Sequence, residues 1–343
     1  MIRVPLSAAL LLALSACGDG GEPKATHDVP ATKIVASTPP VKLARDGINT
    51  AAWTPVSAET TERAPSVLRA QVLLDRARFS PGVIDGVQGE NLRQAVAAYE
   101  ESKGLPVDGQ LDEQVFAALT TADTTPVLTD YVITAEDEKG PFVASIPEDL
   151  EAASKLPAMS FTSPEEMLGE KFHMTPELLR ELNPGADFGK AGTTIVVAAI
   201  APQKLPAAVT KIEVDKAERA VKAYGADGKL LAFYPATIGS DERPAPSGVL
   251  KVRAVAPEPT YTYDPKRLTY GDGKKKVTIP AGPNSPVGSV WIDLSEDTFG
   301  IHGSDEPKEI GKKFSHGCVR LTNWDAEQLA ASVKPGVVVS FTG

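Results

Sequence analysis

The sequence predicts a multidomain chain in which a mainly β C-terminal domain follows a small three-helix domain and a short α+β module. Three observations carry that expectation: helical apolar spacing between positions 65 and 122, strand-like alternation from 209 to 342, and a mixture of the two across 129–202. The length of 343 residues accommodates two or three domains. A formal charge of −10 argues against a whole-chain nucleic-acid binder, which normally carries a basic footprint. No apolar run approaches the ~18–20 residues that span a bilayer as a helix.

The N-terminus sets aside a segment from fold reasoning. Met1-Ile2-Arg3 is a short basic start, Leu6 to Leu14 is compactly apolar, and Ser15 and Ala16 precede Cys17. This is the layout of a secretory signal over 1–16. Leu14-Ser15-Ala16-Cys17 resembles a bacterial lipobox, which implies that Cys17 becomes the lipidated first residue of a membrane-anchored protein in the periplasm of the bacterial cell envelope. A soluble export signal is the alternative. Residues 17–64, rich in Gly, Pro, Thr, Ala and Ser, are expected to form a disordered tether.

Within 65–122, Val67, Leu68, Val72, Leu73 and Leu74 predict a first helix that Ser80-Pro81-Gly82 stops. A second is expected from Asn91 to Ser102 and a third through Val115, Phe116 and Leu119. The turns PGVIDGVQG and GLPVDGQLD are punctuated alike, which predicts an internal pseudo-repeat with Asp85 and Asp108 capping its turns. The pattern resembles the small peptidoglycan-binding domain attached to many cell-wall enzymes. In 129–202, a strand opening at Tyr131, two amphipathic helices, an Asn183-Pro184-Gly185 turn and a strand near Ile195 to Val197 follow in order. That order resembles a LysM module, a glycan-binding unit, with an insertion from about Ala135 to Phe161. His173, between Phe172 and Met174, reads as structural.

From 209 to 342 a hairpin is expected at Asp227-Gly228, with further strands at Gly248–Val255, Val277–Ile279, Val290–Leu294 and Val337–Phe341. A helix from Asp325 to Ser332 is expected to start at an Asn323 cap. The stretch 258–285 is long, polar and proline-rich, of the kind that forms lids. Its Lys274-Lys275-Lys276 run reads as a solvated tip, with attraction of an acidic cell-wall polymer as the alternative.

Chemistry concentrates in FGIHGSDEPKEIGKKFSHGCVRL, residues 299–321. Two of four histidines, His302 and His316, lie near Cys318, the one thiol not committed to a lipid, with Gly303 and Gly317 beside them. Thiol catalysis needs a thiolate, and a nearby imidazole held in one tautomer can take the proton, lowering the cysteine pKa from about 8.5. Backbone N–H groups of a Gly-containing turn can hold a developing oxyanion. A zinc site on His302, His316 and Cys318, or a purely structural cluster, are the rival readings; the spacing matches none of the usual zinc motifs.

IHGS…SHGCVRL resembles the signature of the YkuD-type L,D-transpeptidases. RPAPSGVLKV and GPNSPVGSVWIDL extend the likeness across 209–342, with Ser304 in place of a common threonine and Ser285 inserted between Asn284 and Pro286. The resemblance implies a YkuD-like β-sandwich or barrel and no cofactor. It implies Cys318 as nucleophile, His302 as base oriented by the Gly303 carbonyl, His316 and Gly317 shaping the turn, and an oxyanion hole at Gly317–Cys318. Arg320 would grip a substrate carboxylate or brace the turn; Ser315 would cap it. The implied reaction is acyl transfer from a peptidoglycan tetrapeptide stem to an amine, with an L,D-carboxypeptidase or a non-catalytic peptidoglycan-binding lipoprotein as alternatives.

Overall fold

The computed structural model describes residues 43–57, 60–200, 204–240, 243–266, 275–315 and 317–343. The signal segment, Cys17, the first part of the tether, Lys274 and His316 lie outside the described residues. From Leu43 onward the segment expected to be a disordered tether is folded. Helix α1 (Arg45–Asn49) buries Ile48, the Trp53 indole N–H donates to the Leu111 carbonyl at 3.1 Å, and the Asn49 amide pairs both ways with the Leu128 backbone at 2.7 and 3.1 Å. Leu43, Ile48, Trp53 and Val56 supply the reason: a few apolar anchors join the core from a segment polar on average.

The three-helix unit comprises α2 (Pro65–Arg76), α3 (Glu90–Lys103) and α4 (Glu113–Ala122). Pro65 opens α2, where a missing N–H costs nothing, and the Asp112 side chain caps α4 through the Val115 N–H. The pseudo-repeat is physical. Gln71 Oε1 accepts from the N–H groups of Asp85 and Gly86, and Glu100 Oε2 accepts in the same way from Asp108 and Gly109. Asp85 and Asp108 each accept from the N–H two residues on, as turn caps.

Next come β1 (Leu128–Val132), α5 (Ala135–Lys139), α6 (Leu150–Ala153), α7 (Pro164–Lys171), α8 (Pro176–Leu182) and β2 (Thr194–Ala198), with β1 and β2 antiparallel and Tyr131 opposite Ile195. Ser163 and Thr175 cap α7 and α8. This unit and the three-helix unit share one hydrophobic core, in which Leu68, Val72 and Tyr99 are continuous with Leu128, Leu178 and Ile195. The insertion holds α5 and α6.

The C-terminal domain contains β3 (Lys211–Asp215), β4 (Ala220–Tyr224), β5 (Leu230–Pro235), β6 (Gly248–Pro257), β7 (Tyr261–Tyr263), β8 (Val277–Ile279), β9 (Val290–Leu294), β10 (Gly300–His302), β11 (Val319–Arg320), α9 (Asn323–Ala330) and β12 (Val338–Thr342). One eight-stranded sheet runs β11-β10-β9-β6-β12-β3-β4-β5, while β7 and β8 pair as a separate hairpin. The long β6 pairs with β12 through its first half and with β9 through its second, across a bulge between Val252 and Ala254. Such a bulge bends and twists a strand. The sheet therefore curls until its ends meet, and Thr237, just past β5, exchanges backbone hydrogen bonds with Arg320 of β11 at 2.9 and 2.8 Å. A single curled sheet, not two packed layers, encloses the core of Ile212, Val214, Ile292, Leu294, Ile301 and Val339. Helix α9 starts earlier than expected: Thr322 is its cap, accepting from the Asp325 N–H, and Asn323 is its first residue.

The N-terminal units dock firmly on this domain. Residues 78–80 extend the β5 edge through Ser80 N–H to Phe233 O and Phe233 N–H to Arg78 O, both 2.9 Å. Beneath them, Ser80 Oγ donates to Asp325 at 2.9 Å, and His173, buried as a structural residue, bonds Asp75 at 2.8 Å and stacks on Trp324. Burial, with Asp75 nearby, lifts the Asp325 carboxyl to about 7. A carboxyl raised above its unfolded value of ~3.9 stabilises the fold fully below that pH and loses the contribution as pH rises through its folded value, here of the order of a few kcal/mol. Melting temperature is thus expected to fall as pH rises from about 4 through 7, and Asp325→Asn to flatten that slope by several degrees. An equal slope in the variant would mean that the carboxylate is charged in the fold throughout.

Candidate active site

The site forms where the curled sheet closes. Strands β10 and β11 run parallel, Ile301 opposite Val319 and His302 opposite Arg320, and the Leu321 N–H donates to the His302 carbonyl at 2.9 Å. Strand alternation then places His302, Arg320 and Cys318, one residue before β11, on the same face. All three line one cavity of about 800 Å³. The expected histidine and cysteine are brought together.

His302 is 3% exposed, and its Nδ1 lies 2.7 Å from the Gly303 carbonyl. A carbonyl can only accept, so Nδ1 carries the proton and Nε2 is left with a free lone pair. Trp291, opposite His302 in the β9 register, stacks on the ring at 5.2 Å between centroids. Gly303 is required by close approach: a Cβ there would sit 2.1 Å from Asn323 Oδ1.

The turn before β11 is held by Ser315, whose Oγ accepts from the Gly317 N–H at 3.2 Å and donates to the Cys318 carbonyl. Gly317 has φ +115°, and a Cβ there would lie 3.0 Å from the Phe299 ring, so only glycine makes the turn without strain. Cys318 is half-buried, with Sγ 3.6 Å from the Thr298 carbonyl.

Burial sets the direction of both pKa shifts at the site. Burial pushes the Cys318 thiol up, against smaller opposing effects of a Gly300 backbone hydrogen bond and the Arg320 charge. Burial, aided by Arg320, pushes His302 down to about 3. Burial in the cavity wall disfavours both the thiolate and the imidazolium. Both shifts favour the uncharged thiol and the uncharged imidazole at neutral pH. Arg320 is half-buried, and its Nε has no hydrogen-bond partner among the described residues. Among the described lining residues Arg243 and Lys276 join it, against a single acidic side chain, Asp264, which lies 3.8 Å from Lys276, so this lining favours anions.

Sequence reasoning missed Asn323 as a hub. Its carbonyl oxygen accepts from the Ser289 N–H at 3.1 Å, and its amide donates to the Pro283 carbonyl and to the Glu170 carboxylate at 3.1 and 3.0 Å. The crowding of Gly288 and Gly303 against that oxygen would have flagged it, but only in three dimensions. Leu150 as a cavity wall was also unforeseen, whereas Trp291 lines the cavity as the cleft wall its sequence context suggests. Among the described residues no group of three or more His, Cys, Asp or Glu side chains is placed to hold a metal ion.

The fold and site define a mainly β domain that carries a cysteine and a histidine on one cavity, behind a helical unit. Residues 210–340 match the YkuD family, the L,D-transpeptidase catalytic domain, and residues 63–119 match the family described as "Putative peptidoglycan binding domain". The chain thus carries an L,D-transpeptidase catalytic domain and a peptidoglycan-binding domain. It is 29% identical over 180 residues to "Putative L,D-transpeptidase YkuD" of Bacillus licheniformis, covering 52% of this chain and 92% of that protein. It is 32% identical over 189 residues to "Probable L,D-transpeptidase ErfK/SrfK" of Escherichia coli, covering 52% of this chain and 59% of that protein. The crystal structure of L,D-transpeptidase 3 from Mycobacterium tuberculosis with a faropenem-derived adduct aligns at TM-score 0.34 and 14% identity, over 45% of this chain and 75% of that one.

Proposed function

We propose that the protein is a cell-envelope L,D-transpeptidase that cross-links or modifies peptidoglycan through a Cys318 thioester. The observation that carries the reading is the His302–Cys318 pair sharing one cationic cavity, with the ring fixed by Gly303. Cys318 Sγ attacks the carbonyl joining the L-centre of meso-diaminopimelate to the terminal D-alanine, while its proton passes to His302 Nε2. The C–N bond breaks, the proton goes to the leaving nitrogen, and D-alanine departs. An amine of a second stem, a D-amino acid or a protein lysine then attacks the thioester, gives its proton to His302, and releases the thiol.

The oxyanion falls to the Cys318 N–H, since the Gly317 N–H is already bonded to Ser315. Arg320, whose side chain lines the anion-favouring cleft, holds a stem carboxylate. His316 shapes the turn and Cys17 carries the lipid anchor in this reading. The three-helix unit binds the wall and so raises local substrate concentration, and the unit from β1 to β2, with α7 and α8 between its strands, serves as a LysM-like glycan contact. Mass spectrometry after incubating the protein with disaccharide-tetrapeptide is expected to show free D-alanine and 3→3 linked dimers. Tripeptide alone would favour the carboxypeptidase, and unaltered substrate the non-catalytic lipoprotein.

A further inference from the structure

The catalytic cavity has a wall that does not come from the catalytic domain. Leu150, on α6 and 60 residues before the matched span begins, lines it beside Tyr261 of β7. The segment around α6 is built onto the β7–β8 hairpin by a small core of its own, in which Ala153, Met159 and Ile279 are buried and Leu150, Leu156 and Tyr261 pack against them. Backbone hydrogen bonds fix the contact: Met159 N–H to Ala281 O and Asn284 N–H to Met159 O, both 2.9 Å. The Asn284 amide adds a bond to the Ser160 carbonyl at 3.1 Å, and Lys275 reaches Glu151 at 3.3 Å. A loose cover would need none of this.

We propose that the later part of the insertion, residues 142–161, is a specificity wall of the cleft, and that Leu150 contacts an apolar part of the peptide acyl donor while Arg243, Lys276 and Arg320 face its carboxylates. The inference rests on the donor-site reading above. Leu150 is half-buried, so its exposed side is available for a ligand and a change there need not unfold the small core. It is a positioning residue, remote from bond breaking.

The test uses the full chain carrying Cys318→Ala, so that binding is read without turnover, and the free tetrapeptide, so that glycan contacts do not contribute. Leu150→Glu is expected to raise Kd about tenfold or more, the scale of one apolar contact in a pocket, whereas Leu156→Ala, in the same small core but off the cavity, should leave Kd within about twofold. In the Cys318 protein, KM should rise with kcat unchanged. An unaltered Kd in Leu150→Glu, or an equal rise in Leu156→Ala, would overturn the wall. Failure of the native protein to release D-alanine while Kd still depended on Leu150 would instead remove the transferase reading and keep the wall.

Discussion

Cys318→Ala is expected to abolish turnover and every covalent acyl adduct, including the one formed with a carbapenem, the inhibitor class with which the YkuD-type family typically reacts. The alanine side chain offers no nucleophile, and among the described residues no other thiol lines the cavity. Binding to isolated cell walls should survive, because residues 63–119 form their own turns and share their core with residues upstream of the catalytic domain. The native thiol adds a second measurement. Since burial raises its pKa and the resting imidazole is neutral, iodoacetamide alkylation should keep accelerating as pH climbs beyond about 8.5, the ordinary thiol value. A rate plateau below pH 7 would instead reveal a preformed thiolate–imidazolium pair. An adduct persisting on the alanine variant would remove Cys318 from the mechanism.

Local signals in the sequence predicted the elements well, since they depend on near neighbours. The Asp227-Gly228 turn, the strand Val277–Ile279 and the helix that became α3 each follow from turn chemistry or apolar period within a dozen residues. Closure of the sheet was not legible, because it depends on the Val252/Ala254 bulge and on Thr237 meeting Arg320 from opposite ends of the strand order. The folded tether shows the same limit. Ile48 and Trp53 are isolated in a polar stretch, and only a groove formed by distant residues reveals what they bury against.

The candidate site divides in the same way. His302, Cys318 and the glycines lie within 17 positions, so a motif can gather them, and strand pairing then puts them on one face. Their protonation states depend instead on how much protein surrounds them. A motif suggests that an imidazole will ionise a thiol, whereas burial in the cavity wall disfavours both charges. Leu150 and Asn323 act through contacts that link three parts of the chain, so no short sequence window contains them.

That electrostatic setting makes His302→Gln the sharper test of mechanism. Removing a general base costs typically ~10²–10⁴-fold in rate, and here the loss should fall on kcat, because the thiol has no charged resting form to rely on. Glutamine is close in size, so the Trp291 face stays covered and the melting temperature at pH 7 should change by only a few degrees. The pH profile separates a base from a packing residue. A ring with a pKa near 3 is already a free base throughout the neutral range, so native activity should persist as pH falls below 6 and decline only as the ring protonates. An acid limb centred near 6.5, the ordinary imidazole value, would show that the ring is solvated in the working enzyme. Unchanged kcat in His302→Gln would leave the thiol without its proton acceptor and the proposed chemistry without a first step.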